Sequence, residues 1–263
     1  MIAYRQPLPL GRSLLLGAAG TLAFLGLWAG LARSGLVLHM FLPGPLEVAE
    51  RFAVLVTTPF AGGTLLAHLA SSVLRFLGGF LLAAFVGIPL GLMMGWSRLL
   101  DDIVTPIFDA LRFIAPIAWV PFAALWFGTG IGGPLLIIFA GAFPPCLINA
   151  YRGARYVDRR LIEAAAMLGT PGHRVITEVM LPAALPSIVA GLRISAGLGW
   201  QSLVGAELIV ASTGVGYMMV QAQGAVSTTT VMVGMAAIGL IGVAIDLGLR
   251  LVEARIRAHL GQA

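Results

Sequence analysis

Ionisable side chains that interrupt long apolar runs are the residues of this chain best placed to do chemistry. There are six of them: Arg75, Asp109, Arg112, Arg193, Glu207 and Asp246. A charged group is costly in apolar surroundings, so it is kept where it contacts a solute or pairs with another charge. The set therefore predicts a path for a charged solute, with helix pairing as the alternative.

The arginines have two interpretations. Arg112 and Arg193 are expected within about two turns of a helix end, where a long side chain can reach the aqueous surface and anchor the helix. Alternatively, they lend positive potential to an anion path. Arg75 is equally ambiguous near the opposite end of its helix. Asp109 precedes Arg112 by one turn, which favours a structural ion pair.

A later predicted helix holds three more polar candidates. Glu207 is expected either to gate a path or to hydrogen-bond the turn that follows it. Trp200 and Gln201 are the best candidates in this helix for polar contact with a solute. With Arg112, these three residues form the predicted translocation path. Asp246 is expected to form a structural pair.

Other kinds of site have no support in the sequence. The histidines show no ligand spacing, so no metal site is predicted; they are His39, His68, His173 and His259. The single cysteine, Cys146, excludes an internal disulfide framework. The chain has no lysine and no Gly-x-x-x-x-Gly-Lys motif. We expect no cofactor and no enzyme activity in this chain, and any ATP and Mg²⁺ that drive it would be bound by a partner.

The composition is that of a membrane protein. Of 263 residues, 59% are hydrophobic and 10% are charged, and the mean hydropathy is +0.98. A soluble domain has about 25% charged residues, and a soluble chain this apolar could not cover its surface. In a membrane protein, the net charge of +5 indicates how the chain is oriented in the bilayer and does not indicate nucleic-acid binding. We predict an all-α membrane protein with one domain over residues 1–263.

Uncharged runs separated by turns predict about six transmembrane helices of about 20 residues each. They are expected near 14–31, 66–97, 103–127, 135–150, 187–205 and 231–249, with a core over 65–250. External segments are expected at 33–64, with a short amphipathic helix at 45–52, and at 208–228, partly re-entrant. Basic residues precede the first helix, but the poor cleavage site at 32–34 favours a retained span over a signal peptide.

Glycine and proline predict close packing and broken helices. A four-residue spacing lets a neighbouring helix approach at Gly87, Gly91 and Gly95. Prolines interrupt the third and fourth helices at Pro116, Pro121, Pro144 and Pro145. Backbone groups freed by proline need protein or water partners in lipid, so these helices should line a path or lie inside a bundle.

The arginines are distributed unevenly between the two sides of the predicted bundle. Eleven of the sixteen fall on one side, Arg5 and Arg12 among them, whereas Arg33 and Arg51 fall on the other. Positive residues concentrate on the cytoplasmic side of a membrane. We therefore expect both termini and the loop at 152–182 to be cytoplasmic.

That loop is predicted to contain two short helices. Asp158 can cap the first, which ends at Gly169 and has one face made of Leu161, Ala164, Ala165 and Leu168. Thr170 is expected to cap the second, with Pro171 in its first turn and Pro182 ending it.

The loop resembles the coupling-loop signature of permease subunits of bacterial ATP-binding cassette importers. The matching residues are Glu163, Ala164, Ala165, Gly169, Val179, Leu181 and Pro182, with valine where isoleucine is more usual. The resemblance implies docking of this loop in a groove of a cytoplasmic ATPase. The implied ATPase-coupling residues are Glu163, Ala164, Ala165, Leu168, Gly169 and Pro171.

Further motifs are similar to the nitrate, sulfonate and taurine branch of this family. They are Leu-Pro-Gly-Pro at 42–45, the segments 111–116 and 125–128, Phe143-Pro144, Asn149, and Glu207 with 212–217. Glycine replaces the usual serine at position 44. The similarity covers roughly 42–253. It implies the type I importer permease fold in the bacterial inner membrane and a small anionic solute such as nitrate, a sulfonate or taurine.

The same resemblance implies partners. They are a second copy of the permease, two ATP-binding subunits and an external solute-binding protein, in contact with membrane lipid and without nucleic acid. A stand-alone secondary transporter or channel is the alternative. Such a protein would be expected to show inverted repeats and charge pairs at the membrane midplane, and neither is clear in the sequence.

Overall fold

The computed structural model describes residues 9–128 and 130–259. Arg5 and Thr129 lie outside the described residues, as do the side chains of Arg257 and His259. The described helices are α1 (Leu10–Arg33), α2 (Pro45–Thr57), α3 (Leu65–Trp96), α4 (Arg98–Arg112), α5 (Val120–Phe127), α6 (Gly132–Arg155), α7 (Arg159–Met167), α8 (Gly172–Val210), α9 (Val215–Gly224) and α10 (Thr228–His259).

Five of the described helices are long and apolar enough to cross a bilayer: α1, α3, α6, α8 and α10. A sixth span exists if α4 is counted with the segment Pro116–Phe127. The all-α architecture with about six spans is therefore confirmed. Below, the α7 end is the end of the bundle that carries α7, and the α9 end is the end that carries α2 and α9.

Helix α6 is the centre of the bundle, packed between α3 and α8. The predicted close approach at Gly87, Gly91 and Gly95 is confirmed, and α6 is the neighbour. A Cβ atom on Gly91 would lie 2.6 Å from the carbonyl oxygen of Leu147 and 2.8 Å from Cβ of Ala150. The two backbones are in contact here because α3 has no side chain between them.

An aromatic cluster fixes α8 against α3 and α10. Phe76 of α3 and Trp200 of α8 meet edge to face with ring centroids 5.5 Å apart. The indole Nε1 of Trp200 donates to the carbonyl oxygen of Ile238 in α10, at 3.1 Å. The indole therefore satisfies its polar atom while its rings fill the core.

The predicted break of the third span at Pro116 is confirmed, but the predicted interruption of the fourth at Pro144 and Pro145 is wrong, because α6 is continuous from Gly132 to Arg155. Helix α4 and the segment Pro116–Phe127 meet at 88°. The break falls at Ala115, whose ψ of 138° is extended. Proline disfavours helical backbone at the preceding residue, so Pro116 forces the chain out of the α4 direction.

The prediction that Pro182 ends a short helix and that the next span begins after Pro186 is wrong. Helix α8 runs without interruption from Gly172 to Val210 and contains a π turn at Val175–Met180. The π turn spaces the backbone widely just before Pro182, which accommodates a residue with no N–H to donate. Thr170 does not cap this helix, since the N-cap position is Pro171.

The two predicted external segments form one cap at the α9 end. The amphipathic helix at 45–52 is confirmed and extends to Thr57 as α2. Val48 and Leu55 of α2 pack with Val215 and Met218 of α9 in one buried cluster. Helix α1 is exposed along its apolar window and is tied to the cap by Trp28, whose Nε1 donates to the carbonyl oxygen of Pro43 at 3.1 Å.

A buried polar knot holds this cap to the bundle. Glu207 of α8 is only 2% exposed. Its carboxylate accepts hydrogen bonds from Ser72 Oγ at 2.8 Å, Arg75 Nη1 at 3.1 Å and the Gly216 backbone N–H at 3.0 Å. Arg75 also donates to the carbonyl and hydroxyl oxygens of Thr213. The knot joins α3, α8 and the turn before α9, so it fixes three segments at once.

The first prediction tests the contact between α3 and α6. Gly91→Ala should lower the free energy of unfolding by about 1–3 kcal/mol, because the new methyl group overpacks a backbone contact. Gly239→Ala is the matched control, since a Cβ there has nothing within 4 Å. Thermal unfolding of the purified chain in detergent checks this. Equal midpoints for the two variants would contradict it.

The second prediction tests the buried knot. Glu207→Ala should destabilise the protein by about 3–5 kcal/mol, because it leaves Arg75 and several donors without their buried partner. Glu47→Ala removes an exposed carboxylate paired with His39 and should cost less than about 1 kcal/mol. The measurement is thermal unfolding followed by circular dichroism. A melting midpoint for Glu207→Ala as high as for Glu47→Ala would show that the knot is dispensable.

Candidate functional site

The candidate coupling residues lie on a short helix with a defined start and end. Asp158 caps α7 as predicted, with Oδ1 accepting from the backbone N–H of Arg160 at 2.9 Å. Gly169 has a φ of +72°, which suits glycine and closes the helix. The Thr170 backbone N–H donates to the carbonyl oxygen of Ala165 at 3.1 Å, so the turn is hydrogen-bonded.

The tip of this helix exposes large apolar side chains. Met167 is 83% exposed and Leu168 is 85% exposed. Of the predicted apolar face, only Ala165 is buried against the bundle, while Leu161, Ala164 and Leu168 are exposed. Glu163 is half exposed and pairs with Arg159, with Nε and Oε1 2.8 Å apart. The helix therefore presents an apolar tip beside a charged pair, and no other described segment of the chain covers this tip.

Helix α7 is held firmly to α8. Met180 of the π turn is buried with Ala184 and Ile188 of α8, and Ile162 of α7 packs against the same cluster. Since α8 continues to Val210, the tip of α7 is joined to one helix roughly 55–60 Å long. The tip of α7 is therefore packed against one end of the helix that also lines the cavity.

A cavity of about 560 Å³ that is open on one side lies beside the middle of α6, lined by α6, α8 and the bend after α4. Most of its lining is apolar, and it is called the polar cavity below because it contains four polar side chains. The polar lining side chains are Arg112, Asn149, Gln201 and Ser202, and no lining residue is acidic. Gly141 and Pro144 also line it and lie near the middle of the 24-residue helix α6. The cavity is therefore far from both ends of α6.

Arg112 is the last residue of α4, and its side chain is 36% exposed. It lines the cavity together with residues from the middle of α6. Its Nε is 2.7 Å from Oδ1 of Asp109, so the predicted pair is confirmed. Its guanidinium carbon lies 4.7 Å from the ring centroid of Phe113. The two Nη groups have no hydrogen-bond partner among the described residues.

Of the other three path candidates, Gln201 lies with Arg112 in the lining of the cavity, whereas Trp200 and Glu207 do not. Adjacent residues of a helix point about 100° apart, and Trp200 is buried in the aromatic core. Glu207 belongs to the polar knot at the α9 end. Of its two interpretations, the hydrogen bond to the following turn is the one observed.

Arg193 forms an ion pair that joins two helices. Arg193 Nε in α8 is 2.6 Å from Oδ1 of Asp246 in α10. Arg250 Nε binds the other oxygen of Asp246 at 2.8 Å. These residues do not line the polar cavity. Pairing is thus the observed arrangement for Arg193 and Asp246.

Two polar residues in these sites were missed in the sequence. Ser72 and His68 lie on the same face of α3 as Arg75, at spacings of three and four residues. His68 Nδ1 accepts from the Gly214 backbone N–H at 3.2 Å, and Ser72 Oγ accepts from Val215 N–H at 3.0 Å. That spacing of polar residues within an apolar helix was a usable signal. Among the described residues, no group of three or more His, Cys, Asp and Glu side chains could hold a metal ion.

Known proteins share this sequence and this fold. The chain is 37% identical over 256 residues to the taurine transport system permease protein TauC of Escherichia coli, covering 97% of this chain and 93% of the relative. It is 36% identical to the aliphatic sulfonates transport permease protein SsuC of Bacillus subtilis, and the match covers 88% of this chain and 83% of the relative. It is 34% identical to the bicarbonate transport system permease protein CmpB of Synechococcus elongatus, with 89% and 86% covered.

A solved structure agrees with the fold. A chain of the MetNI methionine ABC transporter, in inward-facing conformations, matches with a TM-score of 0.56 at 20% identity, covering 70% of this chain and 93% of that chain. The family described as binding-protein-dependent transport system inner membrane component matches residues 87–258. The chain belongs to this family, and so it is a multi-pass membrane permease subunit of an ABC importer.

Proposed function

We propose that this permease imports a small organic or inorganic anion as a homodimer driven by two cytoplasmic ATP-binding subunits and supplied by an external solute-binding protein. Family membership excludes the alternative of a stand-alone transporter. The permease itself is not an enzyme, and ATP hydrolysis is assigned to the partner. One observation carries the proposal: Arg112, whose Nη groups have no hydrogen-bond partner among the described residues, lines a cavity that has no acidic lining residue.

The α7 end faces the cytoplasm in this proposal. The support is the arginine distribution, since exposed arginines on and around α7 include Arg152, Arg155, Arg159 and Arg160. The α9 end, with α2 and α9, then faces outward. A solute-binding protein would meet that end.

The apolar tip of α7 is the contact for the ATPase. Met167 and Leu168 are exposed beside the turn at Gly169. The cap at Asp158 and this turn fix both ends of the helix, so the two side chains are held on a defined surface. Glu163, Ala164, Ala165 and Pro171 complete the docking surface. ATP binding would draw two such tips together, and α8 would carry this movement to the cavity because α7 packs against one end of α8 and α8 continues past the cavity.

The solute path runs through the polar cavity. Arg112 offers paired N–H donors, and Gln201 adds an uncharged polar group on the facing helix. Such a lining attracts anions and disfavours cations. The relatives are named for taurine, aliphatic sulfonates and bicarbonate, each of which carries an anionic group. We assign this chain a solute with the same kind of head group.

The third prediction tests docking through the tip of α7. Leu168→Arg should abolish copurification of the ATP-binding subunit, because a charge replaces an apolar contact at the interface centre. The melting temperature should hardly change, since the side chain is exposed. Arg98→Glu, at a 94% exposed side chain on α4, is the matched charge control and should retain the subunit. If the Leu168→Arg variant copurifies with the ATP-binding subunit at the same subunit ratio as the wild type, this docking surface is ruled out.

The fourth prediction tests the path. Arg112→Gln should reduce anion uptake by about tenfold or more, because a hydrogen bond to a charged group contributes about 1.5–3 kcal/mol. ATPase copurification should be unchanged. Arg250→Gln removes an arginine away from the cavity and should keep near-normal uptake. The assay is uptake of labelled sulfonate into vesicles that contain the complete importer. Equal uptake by the two variants would remove Arg112 from the path.

A further inference from the structure

A second cavity with polar lining lies at the α9 end of the bundle. Its volume is about 480 Å³, and it is bounded by α3, the start of α6 and the turn before α9. Its polar lining side chains are Ser71, Arg75, Ser212 and Thr213, and its other lining residues are apolar. It shares no lining residue with the polar cavity beside Arg112. The two are therefore separate spaces, and this one is called the end cavity below.

Several hydrogen-bond donors of the end cavity have no partner in the protein. Arg75 uses both Nη groups on Glu207 and Thr213, but its Nε has no hydrogen-bond partner among the described residues. The hydroxyls of Ser71 and Ser212 have none there either. Glu207, which balances the charge of Arg75, is 2% exposed and does not line the cavity. The lining therefore offers donors and no carboxylate, which suits a group of acceptor oxygens such as a phosphodiester.

The end cavity lies at the depth of the lipid headgroups. Helix α3 has 32 residues, so it is about 48 Å long and exceeds a hydrocarbon core of about 30 Å by roughly 9 Å at each end. Ser71 is about 9 Å from the start of α3 at Leu65. Helix side chains lean towards the N-terminus, so Arg75, one turn further along, extends back to the same level. The donors therefore lie at the boundary between headgroups and acyl chains.

An open apolar groove continues from the end cavity along the exposed side of α3. Its lining includes Leu82, Phe85 and Pro89, and Gly78 lines both the groove and the end cavity. No side chain separates the two spaces at Gly78. The distance from Gly78 to Pro89 is about 16 Å along the helix, which is about half the thickness of the hydrocarbon core. The groove thus has the length of one leaflet, with its polar end at the headgroups.

We propose that the end cavity and the groove together bind one phospholipid from the leaflet at the α9 end. Its phosphodiester accepts hydrogen bonds from Ser71, Ser212 and the Nε of Arg75, and one acyl chain lies along the groove below Gly78. A phospholipid matches both the donors at headgroup depth and the leaflet-long apolar surface that follows them. The site shares no residue with the solute path, so it is independent of the proposed function.

The bound phospholipid stabilises the cap at the α9 end. Arg75 lies on α3 and Ser212 on the turn before α9, so a phosphate that contacts both bridges these two segments. Arg75 also holds Glu207 in the polar knot. A ligand that binds only the folded state raises its stability. Phospholipid should therefore raise the melting midpoint of the lipid-free complex.

The experiment uses the complete importer, purified in detergent and stripped of lipid. Dioleoylphosphatidylglycerol and dioleoylphosphatidylethanolamine are the probes, and native mass spectrometry measures the affinity for the first lipid bound per permease copy. Dioleoylglycerol has the same chains without the phosphate and should bind at least about tenfold more weakly, because it lacks the charged acceptor. Glycerol 3-phosphate has the phosphate without the chains and should also bind more weakly, because it buries no apolar surface.

The headgroup contact is tested with serine variants. Ser71→Ala combined with Ser212→Ala removes two donors and should weaken the affinity for both phospholipids by about tenfold or more. It leaves Arg75 and the polar knot unchanged. Ser13→Ala, at an exposed position of α1, is the control and should bind as the wild type does. Added phospholipid should raise the melting midpoint of the control more than that of the double variant.

The groove is tested at Gly78. Gly78→Leu fills the junction between the end cavity and the groove and should lose the tight lipid. Its Cβ would lie 2.8 Å from Cδ2 of Leu135, the flexible end of a side chain, so the helix contact can adjust. Gly239→Leu is the matched control, because a Cβ there has nothing within 4 Å. Should Gly78→Leu fail to fold, the serine variant decides the question alone.

Four results would overturn the proposal. One is phospholipid affinity in the serine variant, or in a folded Gly78→Leu, equal to that of its control. Another is equal affinity for dioleoylglycerol, because the donors would then contribute nothing. A third is glycerol 3-phosphate binding as tightly as the phospholipids, which would assign the end cavity to a soluble phosphate. The last is loss of the second permease copy in Gly78→Leu, because the groove would then be the interface between copies.

Discussion

The continuity of α8 is the constraint on which the rest of the structure depends. One end of this helix is joined to the exposed tip of α7, and the other holds Glu207 in a buried knot with α3. Between them, Trp200 and Arg193 tie α8 to α10. In the proposed mechanism, force applied at the tip would move α8 relative to α6, and residues of both helices line the polar cavity.

The π turn at Val175–Met180 is the one described place where α8 departs from α-helical geometry. It lies just inside the contact between α7 and the bundle, with Met180 buried. It also explains why sequence reasoning ended a helix at Pro182. A proline predicts a helix end when the preceding turn is α-helical, and the wider π register removes that conflict. The register of a turn depends on packing and cannot be read from residue types alone.

Features that depend on local sequence were predictable, whereas contacts between distant segments were not. The cap at Asp158, the turn at Gly169 and the close approach at Gly91 follow from neighbouring residues and were foreseen. The break at Pro116 was foreseen too, but its 88° angle was not. Which residues of α6 and α8 lie beside Arg112 depends on that angle and on packing, so it could not be read from residue types.

The arginines of the bundle differ in the groups that their N–H donors contact, and the proposed solute path rests on this difference. Arg75 is buried beside Glu207 and also donates to Thr213, and Arg193 pairs with Asp246, so both hold helices together. Arg112 has its charge balanced by Asp109 but keeps two Nη groups open to a cavity. A balanced charge lowers the cost of burial and also moderates the attraction for an anion. A transport path needs this compromise, because a solute must bind well enough to enter and weakly enough to leave.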